Sequence, residues 1–224
     1  MTNQSMSLPL ALNHISHVFH ILTPADVFPF VALDPHGGYH AGYEDGFTMG
    51  SMWRVEGQVV YALARALKPL NVLELGTSRG CSATHVLQAL HDNKRGHLDC
   101  VDNGSQVSVI GDLIPDDLRA NVTINRAGME DFVPGLLDGS YDMIIEDGNH
   151  LPEQVAFVWG QANRLLRAGG IIVSHDAMHA TAGPAVREGI ARAGYADTMG
   201  YGNGVMYVLI EPSDCGLAIW RKGA

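Results

Sequence analysis

From Asn71 to the end of the chain, short β-branched or apolar runs alternate with longer amphipathic ones. That alternation constrains the fold more than any other feature, because strands separated by helices pair in parallel and bury both sheet faces. Strands are expected near Asn71–Leu75, His97–Asp102, Val122–Arg126, Tyr141–Glu146 and Gly170–His175. Helices are expected near Ser82–His91, Ile110–Asp117, Met129–Leu137, Glu153–Leu166 and Ala185–Ala193. The end reads differently. Gly204–Ile210 and Cys215–Trp220 are strand-like runs separated by a polar Glu-Pro-Ser-Asp turn, the pattern of an antiparallel hairpin.

The predicted architecture is therefore α/β, a Rossmann-like doubly wound sheet, mostly parallel with a C-terminal antiparallel hairpin. Upstream, Pro9, Pro24, Pro29 and Pro35 and the His36–His40 stretch interrupt regular structure. Glu56–Leu67 is the exception, an amphipathic helix that stops before Pro69. Residues 1–55 are read as a cap or interface segment, whose irregular apolar character points to homo-oligomeric association, and residues 56–224 as the domain proper. A length of 224 residues suits one such domain.

Composition removes several function classes. A net charge of −10 disfavours a broad phosphate-binding surface, so a small-molecule partner is expected rather than nucleic acid. The apolar runs are too short to cross a bilayer, and no secretory leader is visible, so a cytoplasmic protein without a membrane partner is expected. Three widely spaced cysteines, Cys81, Cys100 and Cys215, form no metal-type pair and read as thiols.

The segment Val72–Ser82, VLELGTSRGCS, runs from an apolar strand through two glycines into a helix. Such a loop lets backbone amides approach a ligand, and the helix N-terminus favours a carboxylate or phosphate. Ser82 suits either a helix cap or a ligand contact. The spacing is wrong for a dinucleotide GxGxxG, and the Gly-Lys-Ser/Thr of a P-loop is absent. Gly76–Gly80 formally matches a GxSxG nucleophile elbow, with Ser78 followed by Asp147 and His175. The earlier strands that such a fold needs are not provided by the irregular segment before Asn71.

Two acids flank the loop: Glu74 before Gly76, and Asp102 at the end of the next strand. An acid at that second strand end offers two acceptors to a ribose diol. Glu74 repels a phosphate but not a cationic sulfonium nucleoside, which favours S-adenosylmethionine over NAD.

With VLELGTSRG followed by LDCVD at 98–102, the chain resembles motifs I and II of class I S-adenosylmethionine-dependent methyltransferases, and the Glu-Gly-Gln at 56–58 is similar to the helix ahead of motif I in catechol-type O-methyltransferases. The resemblance covers about Glu56 to the end. It implies that Gly76, Thr77, Ser78, Gly80 and Ser82 hold the methionine moiety and that Asp102, with Asn103 beside it, binds the ribose. It further implies that Gly128, Met129 and Glu130 flank the adenine, with Glu74 and Asp147 completing the cofactor set.

A second constellation lies on later strands. Asp147, with His150 three residues on, and the adjacent His175 and Asp176 are each delivered to the carboxyl edge of the sheet, where open parallel sheets bind ligands. Carboxylate and imidazole donors suit Mg²⁺, Mn²⁺ or a softer first-row ion, and the mix does not choose among them. Such an ion would acidify a substrate hydroxyl as a Lewis acid, and His150 would take its proton. The arrangement resembles metal-dependent O-methyltransferases, both catechol and antibiotic-tailoring, in which Asp147 and Asp176 match ligands and His150 matches the base. His175 stands where an acid or amide is usual.

The expected activity is thus methyl transfer to a hydroxyl of a small molecule, a secondary metabolite. The alternatives are metal-independent N- or O-methylation and a non-catalytic S-adenosylmethionine-binding protein. The His14, His17 and His20 face and the His36/His40 pair read as surface or interface rather than metal sites. Tyr39, Tyr43, Met49, Met52 and Trp53 read as a pocket roof or core, and Tyr201 and Asn203 as acceptor-side residues.

Overall fold

The computed structural model describes residues 5–20, 52–195, 204–211 and 213–223. Two helices, α1 (Leu8–Phe19) and α2 (Arg54–Leu67), precede β1 (Asn71–Leu75), α3 (Cys81–Asn93), β2 (His97–Asp102) and β3 (Val122–Arg126). Then follow α4 (Met129–Phe132), β4 (Tyr141–Glu146), α5 (Pro152–Leu165), β5 (Leu166–Ser174), α6 (Gly183–Arg192), β6 (Met206–Val208) and β7 (Leu217–Arg221). The seven strands lie in the order β3-β2-β1-β4-β5-β7-β6. β1 to β5 are parallel, whereas β7 runs antiparallel to both β5 and β6. This is the doubly wound, mostly parallel sheet with a terminal hairpin that the pattern predicts.

Strand side chains alternate between two apolar layers, as the pleat requires. Val72, Met143, Ile145, Ile171, Val173, Leu217 and Ile219 face the layer formed with α1, α2 and α3. Leu73, Leu75, Ile144, Ile172, Ala218 and Trp220 face the layer formed with α5 and α6. A slip of one residue in any central strand would exchange these faces, so burial on both sides fixes the register.

Two predicted helices are corrected, each at a proline. Residues 110–113 form a turn and Asp116–Asn121 a 3₁₀ helix instead of a helix over Ile110–Asp117, because Pro115 disfavours helical geometry at Ile114. The helix expected over Met129–Leu137 stops at Phe132 and continues as a 3₁₀ turn over Val133–Gly135, around Pro134. β5 begins earlier than predicted, since Leu166 leaves α5 directly and pairs with Tyr141.

The described part of the N-terminal segment docks on the domain. Met6 exchanges backbone hydrogen bonds with Leu209 and Glu211, and Leu12, Ile15 and Phe19 enter the core. His14, His17 and His20 are exposed, in keeping with a surface reading. His36, Tyr39, His40, Tyr43, Met49, Tyr201 and Asn203 lie outside the described residues. Met52 is fully buried. No helix among the described residues is long and apolar enough to cross a membrane.

Candidate active site

The strand order reverses between β1 and β4, which lead to helices on opposite sides, and the crevice opens at their carboxyl ends. There the backbone of Asp147 donates to Leu75 O at 2.8 Å and that of Gly76 to Val101 O at 2.9 Å. Gly76 has φ +93°, and a Cβ on it would sit 1.9 Å from the Asp147 carbonyl oxygen, so only glycine allows the two strand ends to meet.

A cavity of about 540 Å³ occupies this crevice, within the range of small-molecule sites. Of the residues expected to hold a nucleoside, Gly76, Ser78, Asp102, Asn103, Gly128, Met129, Glu130 and Asp147 line it, together with His150 and Asp176. Its described lining contains four acids and neither Lys nor Arg. That balance repels phosphates and favours a cation.

Asp102 is already oriented: Ser78 N donates to Oδ2 at 2.8 Å and Gly104 N to Oδ1 at 2.6 Å. A carboxylate accepts about four hydrogen bonds, so two sites remain for a diol. Gln154 links the rims, accepting from Asn149 N and donating to Glu130 Oε1, both at 2.9 Å. These features fit an adenosyl group carrying a positive charge.

Glu74, Thr77, Gly80 and Ser82 are not among the lining residues. Glu74 is fully buried beneath the loop, accepting from Ser82 Oγ at 2.6 Å and Cys100 Sγ at 3.3 Å. Burial pushes its carboxyl up to about 7 against the opposing pull of those hydrogen bonds. The selectivity against phosphate expected from Glu74 is thus carried by the acids that line the cavity. Ser82 does not cap α3. The N-cap is Gly80, at φ +90°, where a Cβ would meet Ile114 Cγ1 at 2.7 Å.

At the far rim β4 and β5 deliver Asp147, His150, His175 and Asp176, whose ligand-type atoms all lie within 4.8 Å of one another. Asp147 Oδ1 is 3.1 Å from His175 Nδ1 and 3.4 Å from His150 Nε2. Asp176 Oδ2 is 3.5 Å from His150 Nδ1 and 3.7 Å from His175 Nδ1. Neighbouring ligands of an octahedral ion at bond lengths near 2.1 Å are about 3 Å apart, so the set fits a divalent cation. His150 Nε2 is buried without a hydrogen-bond partner among the described residues, which also fits a site built for something more.

Burial alone would raise Asp147, but the charge of His175, its hydrogen bond through Nδ1 and the nearby His150 imidazole hold its carboxyl far below the usual range. Burial likewise opposes charging of His150 and His175. Asp147 outweighs it in both, raising His150 above its ordinary value and His175 well above. Ser78, His150 and Asp176 all adopt left-handed backbone, with φ of 47°, 58° and 57°. Such conformations cost free energy and concentrate where side chains must be aimed.

Glu56 escaped the sequence reading as a site residue. It is fully buried, and its Oε2 contacts His175 Nε2 at 2.9 Å. The signal was present, since Glu56, Val59, Val60 and Leu63 recur at helical spacing and all are buried, placing an acid on an apolar stripe. His175 thus contacts Asp147 through Nδ1 and Glu56 through Nε2, and no described hydrogen bond joins either nitrogen to Ser78, so the GxSxG order does not become a triad.

Residues 73–177 match a family described as a methyltransferase domain. No curated protein matches the sequence. Among solved structures, the chain resembles a presumptive O-methyltransferase from Klebsiella pneumoniae at 17% identity and TM-score 0.66, covering 90% of this chain and 97% of that one. It resembles the O-methyltransferase TomG from Streptomyces achromogenes, in complex with S-adenosylmethionine, at 19% identity and TM-score 0.63, covering 89% and 96%. An O-methyltransferase from Bacillus cereus with S-adenosylhomocysteine gives 14% identity and TM-score 0.62, covering 95% and 96%.

Proposed function

We propose that the chain is an S-adenosylmethionine-dependent methyltransferase of the class I fold that methylates a hydroxyl of a small molecule, with a divalent metal and a histidine base, a reading supported by the methyltransferase-domain match over residues 73–177. The observation that carries this reading is the convergence of Asp147, His150, His175 and Asp176 on the rim of a cavity that also presents Gly76 and Asp102.

In this reading Asp102 accepts from the ribose hydroxyls, with Asn103 beside it, and Gly128, Met129 and Glu130 border the adenine. Gly76 and Ser78 follow the methionine moiety, while Glu74, Thr77, Gly80 and Ser82 shape the loop from behind. Asp147, His175 and Asp176 hold the cation, which when bound supplies Lewis acidity to the acceptor oxygen. His150 receives the hydroxyl proton at Nε2, the buried nitrogen that has no hydrogen-bond partner among the described residues. Asp147 raises the basicity of that ring, so a proton once taken is held firmly. The lining side chains fix the acceptor oxygen in line with the methyl group, and such alignment supplies much of the acceleration.

The three similar proteins are described as O-methyltransferases, which supports oxygen as the acceptor atom, and TomG's involvement in tomaymycin synthesis supports a secondary metabolite. We read residues 1–55 as a cap or subunit-contact segment of a cytoplasmic homo-oligomer that acts without membrane or nucleic acid.

The test is methyl transfer from labelled S-adenosylmethionine to a panel of phenols, sugars and amines, before and after EDTA. Transfer to hydroxyl acceptors that stops on chelation and returns with added metal is expected. Unchanged turnover after full metal removal would favour a metal-independent enzyme, for which the Asp147 and Glu56 contacts of His175 provide charge balance of their own. Tight cofactor binding with no product under any metal would instead identify a non-catalytic binding protein.

A further inference from the structure

Glu56 is bound by four donors. Its Oε1 accepts from Ser213 Oγ and Gly216 N, both at 2.6 Å, and its Oε2 from Trp53 N at 3.1 Å and His175 Nε2 at 2.9 Å. Three separate parts of the chain thus converge on one buried carboxylate, and every one of its roughly four acceptor sites is used. A carboxylate in this state only accepts, so His175 Nε2 must carry a hydrogen. The ring is then held with Nδ1 as the atom facing Asp147 Oδ1 at 3.1 Å and Asp176 Oδ2 at 3.7 Å, inside the cluster.

We propose that Glu56 is a positioning residue that presents His175 Nδ1 as a metal ligand, and that the site consequently selects an imidazole-preferring first-row divalent ion over Mg²⁺. This rests on the metal reading of the preceding subsection. A carboxylate that accepts from the far nitrogen of a ligating histidine fixes its tautomer and orientation, and loss of such a partner typically weakens metal binding tenfold to a hundredfold. The proposed ligand set offers one imidazole, His175, beside the two carboxylates Asp147 and Asp176. Mg²⁺ favours oxygen ligands and retains its waters, whereas imidazole suits the later first-row ions. The arrangement gains nothing for Mg²⁺ from the one side chain on which the fold has spent a fully saturated buried acid.

Co²⁺ serves as the probe, because its bound state is visible by absorption and by hyperfine-shifted proton resonances. Metal-stripped full-length protein is titrated with Co²⁺ and with Mg²⁺, and the S-adenosylhomocysteine affinity is measured in parallel by calorimetry. Wild type is expected to bind Co²⁺ at least tenfold more tightly than Mg²⁺ and to show a shifted, solvent-exchangeable imidazole N–H resonance that exchanges slowly under the cover of Glu56. In Glu56→Gln, Co²⁺ affinity should fall tenfold to a hundredfold, Mg²⁺ affinity much less, and that of S-adenosylhomocysteine by less than about twofold. Should Glu56→Gln not fold, Glu56→Asp and the wild-type N–H resonance carry the test. Equal affinity for Mg²⁺, the absence of an exchangeable shifted resonance, or unaltered Co²⁺ binding in a folded variant overturns the proposal and leaves the metal site standing. Failure of both ions to bind overturns the metal reading itself.

Discussion

Gly76 and Asp147 touch backbone to backbone: a Cβ at residue 76 would lie 1.9 Å from the Asp147 carbonyl oxygen and 2.4 Å from its carbonyl carbon. The two residues directly follow the ends of adjacent parallel strands, and their contact closes the floor of the crevice. Gly76→Ala must therefore shift backbone rather than a side chain, and must also hold alanine at φ +93°. A loss of about 3 kcal/mol or more is expected in urea unfolding, together with loss of S-adenosylhomocysteine binding. Unfolding curves that superimpose on wild type would show that the glycine is merely tolerated.

On the proposed function, Asp102 and His150 would act on different events. Asp102→Ala removes a carboxylate preset by Ser78 N and Gly104 N, so calorimetry should show S-adenosylhomocysteine bound roughly tenfold to a hundredfold more weakly, in line with the value of hydrogen bonds to a charged group.

His150→Asn keeps a residue that tolerates the left-handed backbone at φ 58° while deleting the proton acceptor. Cofactor affinity should be unchanged and kcat should fall by about 10² to 10⁴. If calorimetry finds the same loss of affinity in this variant as in Asp102→Ala, the separation of binding from proton transfer is wrong.

Glu74 makes stability depend on pH. Its folded value of about 7 lies above the ordinary 4.5, so between these values the folded chain holds the proton more tightly than the unfolded one. The stabilisation is complete below about 4.5 and is lost as pH rises through about 7. Between pH 5 and pH 8, ligand-free wild type should lose on the order of 2 to 3 kcal/mol relative to Glu74→Gln, which cannot ionise. Parallel stability curves for the two proteins would refute a protonated Glu74.

The order of elements was legible because it is written in local patterns. β1 to β4 begin and end where apolar alternation and turn residues place them, whereas the helices expected after β2 and β3 yield to Pro115 and Pro134. Asp102, Asp147, His150, His175 and Asp176 were legible as strand-end polar residues, since a parallel sheet brings such ends to one edge whatever the loops do. Glu74 was legible as an acid near the loop but not as a buried one. The pleat alone determines that it shares a face with Val72 and not the cavity.

What the sequence by itself determined, then, is the parallel framework, the glycine bend and the edge on which the polar groups gather. Periodicity and turn chemistry act over a few residues and require no knowledge of distant neighbours. Only the tertiary structure decided that Glu56 meets His175 across 119 positions, that Gln154 joins Asn149 to Glu130, and that Ser82 turns inward to Glu74. Those partnerships follow from how helices and hairpin pack on the sheet, where each buried polar group must find the donor or acceptor that the folded chain happens to bring within about 3 Å.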